Sequence, residues 1–378
     1  MTETLLRHTA VLNSAHTLLT PSWSDRQHID LISEAVTRAL KGTSLGINDI
    51  DFVIDSGSDF LDGRSISNCG FLGAMGAHHK EESRVEEDGL WSLMYGANKI
   101  ASGAASVGLI IAYSKPSESD VDAFWTSLLE PFIQRPVGLD QRSAAGLYAQ
   151  RYLAAAGLGA DDLRSVSEHA WAAAARNAGV DVSELPTDDA FWNDDFATPL
   201  RRSDLSRPVD GAVAILISNA EVAASATSRP IWITGMGSAI DQHFLAAREP
   251  DTFPACEVAA KSAYRMAGGI GPADIDLAEV SATSTVGELM VLEAVGLAEK
   301  HHGIDLYRDP DQSRINPSGG ALPADPIMAT GLVRLHEAAS RLGGRPGVEA
   351  TDARTALVHG AGGFGMQNHC VITLEVNS

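Results

Sequence analysis

Cysteine, positive charge and long apolar runs are all scarce in this chain, and each scarcity removes a class of function. The three cysteines, Cys69, Cys256 and Cys370, are scattered without CxxC spacing, which excludes a zinc ribbon or a disulfide framework read from spacing and makes a reducing cytoplasm the expected compartment. No metal or redox cofactor is expected on that basis. Only 28 basic residues stand against 49 acidic ones, a formal charge of -21, so the field of the whole molecule repels nucleic acid and anionic membrane. An anionic ligand therefore needs a local basic patch. No run approaches the roughly 20 apolar residues that cross a bilayer. Met1 to Asp25 has no basic start followed by an apolar core, so no signal peptide is expected there.

What is present is length and an internal echo. The 378 residues suffice for two core-bearing units. Laid on itself at an offset of about 225 residues, the chain matches Gly46-Ile47-Asn48-Asp49-Ile50-Asp51 with Gly271-Pro272-Ala273-Asp274-Ile275-Asp276, a self-similarity that fixes the fold class before any single element does. In both copies an apolar-periodic helix, about Ile29 to Leu40 and Ala255 to Met266, ends in a glycine turn and enters a buried strand through Asp-Ile-Asp. Ser106 to Tyr113 and Arg354 to Val358 read as central strands, Ala212 to Ser218 and Cys370 to Val376 as strands closing each half. Strands alternating with helices imply mostly parallel sheets sandwiched by helices, an α/β fold in two pseudo-duplicated halves, 1–230 and 231–378. Between about 114 and 208 the alternation gives way to helical stretches, Gln141 to Ala156 and Asp161 to Asn177, and a polar segment, Asp188 to Arg202. That reads as an inserted lid or loop domain.

Two glycine-rich turns, Asn316-Pro317-Ser318-Gly319-Gly320-Ala321-Leu322 and His359-Gly360-Ala361-Gly362-Gly363-Phe364-Gly365, are built for close backbone approach to a carbonyl or thioester. They resemble the C-terminal signatures of the thiolase superfamily, especially its sterol-carrier-protein-x and lipid-transfer branch. Gly146 to Leu153, Pro199 to Arg202 with Val209 to Ala212, and Asp274 to Val280 with Glu293 to Leu297 are similar to that branch in the same order. The resemblance implies a five-layered α-β-α-β-α fold with an inserted loop domain, coenzyme A as part of the substrate, and dimers paired through the first-half sheets. It also implies catalytic positions. The nucleophilic cysteine corresponds to Glu86, the oxyanion asparagine or histidine to Ser281, the Gly-His-Pro histidine to Asp325, and the second cysteine to His359, a histidine being usual there in the lipid-transfer branch.

Each of these residues has a chemical and a structural reading. His359 is either a general acid or base or a packed strand-end histidine. Asp325 either takes a proton, the more readily if burial raises its pKa, or caps the following helix. Glu86, Glu87 and Asp88 crowd a helix entrance, as an acid-base site or a solvated helix start. Ser281 either donates to a thioester oxygen or bonds backbone. Gly319, Gly320, Gly360 and Gly362 offer amides to an oxyanion or simply pack tightly. Arg201 and Arg202, with Arg142 and Arg151, contact coenzyme A phosphates or pair with neighbouring acids. His78-His79 and His301-His302 point in divergent directions and read as surface loops, and Cys69 as a buried thiol on an apolar helix. Two functions follow. One is carbon-carbon bond cleavage or formation of retro-aldol type on a lipid-like acyl-coenzyme A, without a cysteinyl acyl-enzyme. The other is a catalytically silent acyl-coenzyme A-binding or scaffold subunit. The expected partners are a second copy or a thiolase paralogue, and a small zinc-ribbon and OB-fold protein.

Overall fold

The computed structural model describes residues 8–63, 66–183, 188–227, 229–308, 314–345, 348 and 351–376. In the first half lie β1 (Thr9–His16), α1 (His28–Leu40), β2 (Phe52–Ser56), β3 (Glu81–Val85), α2 (Gly89–Ala101) and β4 (Val107–Ser114). The inserted segment carries α3 (Gln141–Ala156), α4 (Arg164–Ala174) and a two-stranded ribbon, β5 (Asp195–Ala197) and β6 (Leu200–Arg201), before β7 (Gly211–Asn219) completes that half. The second half repeats the plan with β8 (Ile231–Ile240), α5 (Pro254–Met266), β9 (Leu277–Glu279), α6 (Thr285–Ala294), α7 (Thr330–Gly343), β10 (Thr355–Gly362) and β11 (Asn368–Val376).

The echo in the sequence is an echo in hydrogen bonding. Gly46 N–H donates to the Asp49 carboxylate at 2.7 Å, as Gly271 N–H does to Asp274 at 2.7 Å. One carboxylate oxygen of Asp51 accepts from the amides of Ser106 and Val107, and the same oxygen of Asp276 accepts from Arg354 and Thr355. Each Asp-Ile-Asp thus spaces a short 3-10 turn from a strand and ties the start of the adjacent central strand to it.

Strand order is β3-β2-β4-β7-β1-β8-β11-β10-β9, the two halves meeting only where Ala10 and Val11 pair with Trp232 and Ile231. Leu31, Ile32, Ala35 and Val36 of α1 cover the outer face of the first half, while Ala259, Ala263, Leu289 and Leu292 of α5 and α6 cover that of the second. Between the halves α2 and α7 share one apolar cluster with residues of both, including Leu93, Leu332, Ile215 and Ile372. Helix, sheet, helix pair, sheet and helix make the five layers, each sheet buried on two faces.

Two expectations need correction. The sheets are mixed rather than mostly parallel: β2 with β3, β2 with β4 and β9 with β10 are parallel, whereas β7 and β11 run antiparallel to both their neighbours. β11 follows β10 through a tight hairpin, which only antiparallel pairing permits. Cys69 is exposed on a 3-10 turn, Ser67–Gly70, not buried on a helix. Among the described residues no helix is long and apolar enough to cross a membrane.

Charge is buried in the second half. Arg334 on α7, wholly buried, meets the Glu279 carboxylate of β9 at 3.2 Å, and Arg341 meets Glu337 at 2.7 Å. Glu288 on α6 is also wholly buried, accepts from the Tyr307 hydroxyl, and has its pKa pushed up to about 7 by burial. Because the folded chain holds that proton where the unfolded chain releases it, Glu288 contributes stability below about pH 4.5 that is lost as pH rises through 7. Glu288→Gln keeps the neutral form. In denaturant titrations its stability gap over the parent is expected to widen between about pH 4.5 and 7 and level off near 1–3 kcal/mol; parallel curves would exclude this origin.

Candidate functional site

The N-termini of α2 and α7 face each other in the central layer, and Asp88 closes both. Its carboxylate accepts the Leu90 amide at 3.0 Å in α2 and the Gly331 amide at 2.8 Å in α7, while Gly89 N–H donates to the Met328 carbonyl at 2.8 Å. The side chain is 2% exposed. Burial raises its pKa to about 7, with Glu87 and Asp325 adding repulsion and the two amides opposing. Glu87 accepts from Asn368 and is itself raised by burial.

Glycines line this junction because nothing larger fits. A Cβ on Gly331 would stand 2.2 Å from an Asp88 oxygen, one on Gly360 2.9 Å from it, and one on Gly362 1.9 Å from a Glu87 oxygen. The second glycine turn is therefore a cradle, and it is filled by the two carboxylates. Cys370, paired with Gly360 across the hairpin, lies on the same inner face. Burial, with Asp88 and Glu87 next, pushes its thiol well above the usual range, which keeps it protonated and a poor nucleophile.

Five of the expected site residues lie elsewhere. Glu86, counted to the nucleophile position, is exposed beside Arg84 at 3.0 Å and bonded by the Asp59 amide, two residues before Asp88, the N-cap of α2. His359 sits one strand position from Gly360, so alternation turns it to the opposite face, toward α5, where it is fully buried and bonds His369 at 3.0 Å. Burial drives its imidazole down to about 3. Gly319 and Gly320, with φ of 106° and 68°, pack rather than cradle: a Cβ on Gly319 would lie 2.9 Å from the Ala170 carbonyl of α4. Arg201 pairs with Asp161.

Asp325 and Arg202 do face a cavity, of about 860 Å³, between the inserted segment and the second half. Its lining includes Arg142, Arg202 and Arg207, the acids Glu118, Asp120 and Asp122, the rings of Trp125, Trp171, Phe191 and Phe196, and Ser206, Thr283, Asp325 and Ile327. The Arg202 guanidinium lies 4.1 Å from the Phe196 ring centre, and that of Arg207 5.2 Å from Trp171, geometry suited to planar stacking as well as to anions. Asp325 accepts the Ser206 hydroxyl at 2.7 Å and the Thr330 hydroxyl, and burial raises its pKa. Ser281 is buried, and Thr283, two residues on, takes the cavity face in its stead. His78, His79 and His302 are exposed, as their divergent directions imply, and His301 is partly so.

The sequence reading placed Asp88 only as one of three acids at a helix entrance, and it missed Ser206, Thr283 and the aromatic lining. Asp88 had a signal, an Asp-Gly step opening an apolar-periodic run, which is an N-cap pattern. Ser206 had none, since it meets Asp325 only across 119 residues of chain.

Residues 237–375 match the family model described as Thiolase C-terminal domain-like. The chain is 27% identical to an acetyl-CoA acetyltransferase of Methanocaldococcus jannaschii over 88% of its own length and 89% of that protein. It is 29% identical to sterol carrier protein 2 of Rattus norvegicus over 48% of its length and 34% of that protein. Among solved structures it superposes on an Ltp2-ChsH2(DUF35) aldolase with a TM-score of 0.81 at 22% identity, covering 97% of this chain and 98% of that one.

Two outcomes are expected. Asp88→Ala leaves two helix-end amides unpaired and lowers stability by about 1–2 kcal/mol in denaturant titrations. Alkylation of the folded protein near pH 8, read by peptide mass spectrometry, labels Cys69 and spares Cys370; fast labelling of Cys370 would contradict a protonated, enclosed thiol.

Proposed function

This chain belongs to the thiolase superfamily, on the side of its sterol-carrier-protein and lipid-transfer members, and from that premise we propose that it binds a lipid-like acyl-coenzyme A and makes or breaks a carbon-carbon bond by acid-base chemistry. The observation that carries the reading is Asp325, a carboxyl lining a cavity that arginines and aromatic rings also line. Arg202 and Arg207 are the cations the cavity offers to an anionic nucleotide, beside Glu118, Asp120 and Asp122, the last paired with Arg142. A covalent acyl-enzyme is disfavoured: carboxylates fill the cradle, and the nearby thiol is held protonated.

Retro-aldol cleavage of a β-hydroxyacyl thioester needs less. A base removes the β-hydroxyl proton, the bond between the α and β carbons breaks as the carbonyl forms, and its electron pair passes into the thioester enolate, which is then protonated at the α carbon. Asp325 is suited to take the first proton, directly or through Ser206, because its raised pKa makes it a stronger base than an exposed carboxylate. Thr283 offers a hydroxyl to the enolate oxygen. The base must be ionised, so turnover is expected to fall as pH drops through that raised value.

The filled cradle favours a second reading, a silent acyl-coenzyme A-binding subunit. It would pair with a second copy or a catalytic thiolase paralogue, and with the small zinc-ribbon and OB-fold partner that the family resemblance implies; the name of the solved aldolase neighbour likewise carries a second component, ChsH2(DUF35). The two separate on purified chain, alone and with a co-encoded paralogue, offered β-hydroxyacyl-coenzyme A. For an enzyme, Asp325→Asn is expected to cut turnover at least about 100-fold while binding persists, and Arg202→Ala to weaken binding about tenfold. Binding without turnover by the isolated parent chain would establish the silent subunit instead.

A further inference from the structure

Cys256, His359 and His369 form a cluster that the cavity chemistry does not use. Each offers one ligand atom, and the three atoms lie within 4.8 Å of one another. All three residues are completely buried. They come from three elements: Cys256 from the first turn of α5, His359 from β10 and His369 from β11. The histidines share a sheet face because His359 is two residues from Leu357, which packs on the α5 side, and His369 pairs across the hairpin with Ala361, two residues further on.

Their hydrogen bonding is incomplete. His359 Nε2 meets His369 Nδ1 at 3.0 Å, and beyond that contact the two buried rings have only the backbones of Ser281 and Met366 as weak partners. Two buried imidazoles bonded chiefly to each other leave the cluster under-bonded. Two imidazoles and a thiol in an apolar pocket are borderline-to-soft donors, suited to zinc or copper(I) rather than magnesium or calcium.

Ligand number and charge choose between those two. Zinc sites take four ligands, and no fourth Cys, His, Asp or Glu joins the cluster among the described residues. With one thiolate and two neutral imidazoles, a divalent ion leaves a net positive charge in a dry pocket, whereas a monovalent one leaves none. Burying net charge is costly. The Arg248 guanidinium, which donates to the Phe364 carbonyl at 2.8 Å in the adjoining hairpin turn and acts electrostatically on His369, adds to that cost.

We propose that Cys256, His359 and His369 form a buried three-coordinate site for copper(I), clamping α5 onto the β10-β11 hairpin. Binding exchanges the Cys256 thiol proton for the metal, with no change of oxidation state. The ion would replace the contact between His359 Nε2 and His369 Nδ1, 3.0 Å long, taking both atoms as its nitrogen donors, and the cluster, whose ligand atoms span up to 4.8 Å, would contract by about an ångström around it. Because the pocket is closed, loading accompanies folding.

The full chain is expressed with copper under reducing conditions in a Cys69→Ser background, which removes the exposed thiol. It is then dialysed against a chromophoric copper(I) chelator. The parent and Cys370→Ala are expected to keep about one copper per chain. Cys256→Ala and His369→Gln, each checked for folding by near-ultraviolet circular dichroism, are expected to keep less than about a tenth of that. X-ray absorption should show one sulfur near about 2.3 Å and two nitrogens near about 2.0 Å. Equal copper with and without Cys256, no retention by the parent, or displacement by equimolar zinc would each overturn the site. If one variant fails to fold, the other variant and the spectrum decide.

Discussion

Two helix N-termini pointed at one another in a dry layer repel, and the molecule is organised around that difficulty. Each end carries roughly half a positive charge and unpaired amides. One carboxylate, Asp88, serves both, with an oxygen on the Leu90 amide and an oxygen on the Gly331 amide. The glycines around it follow from the same crowding: Gly89 is held against Leu332, and Gly331 and Gly360 against Asp88. A junction with positive ends and close-approaching backbone stabilises a developing anion when a substrate occupies it. Here side chains of the chain itself occupy it.

That occupancy moves the chemistry sideways. With Glu87 and Asp88 in the cradle and Cys370 protonated beside them, the proposed chemistry falls to Asp325, Ser206 and Thr283, which line the cavity with the aromatic rings. Proton transfer needs only a base of suitable pKa within reach, and a buried aspartate meets that condition without a helix dipole or a thiolate. Loss of one mode of reaction and retention of the ligand cavity are therefore compatible within a single scaffold.

Much of the fold was legible because its signals are local. The repeated Gly-x-x-Asp-Ile-Asp step carries its own bonds: Asp49 and Asp274 close turns on residues three places back. Helices α1 and α5 follow from apolar spacing. Strand direction was less legible, because antiparallel pairing of β7 and β11 depends on how the chain returns, and β7 returns only after the long insertion. The site was legible in composition and not in orientation. A one-residue difference along β10 turns His359 to the α5 face and gives the inner face to Gly360, and sequence identity alone does not report which face a residue takes. The Ser206 contact and the aromatic lining arise from packing of the insertion on the second half, which no local pattern encodes.

The narrow seam between β1 and β8 has a mechanical consequence. Only Ala10 and Val11, paired with Trp232 and Ile231, join the two halves edge to edge, so the strands supply little torsional stiffness there. The rest of the join is made by α2 and α7, whose ends meet at Asp88, and by backbone bonds that tie Ser206 and Val209 to Thr283 and Asp325. A twist of one half against the other would therefore strain the Asp88 junction and the Asp325 segment together.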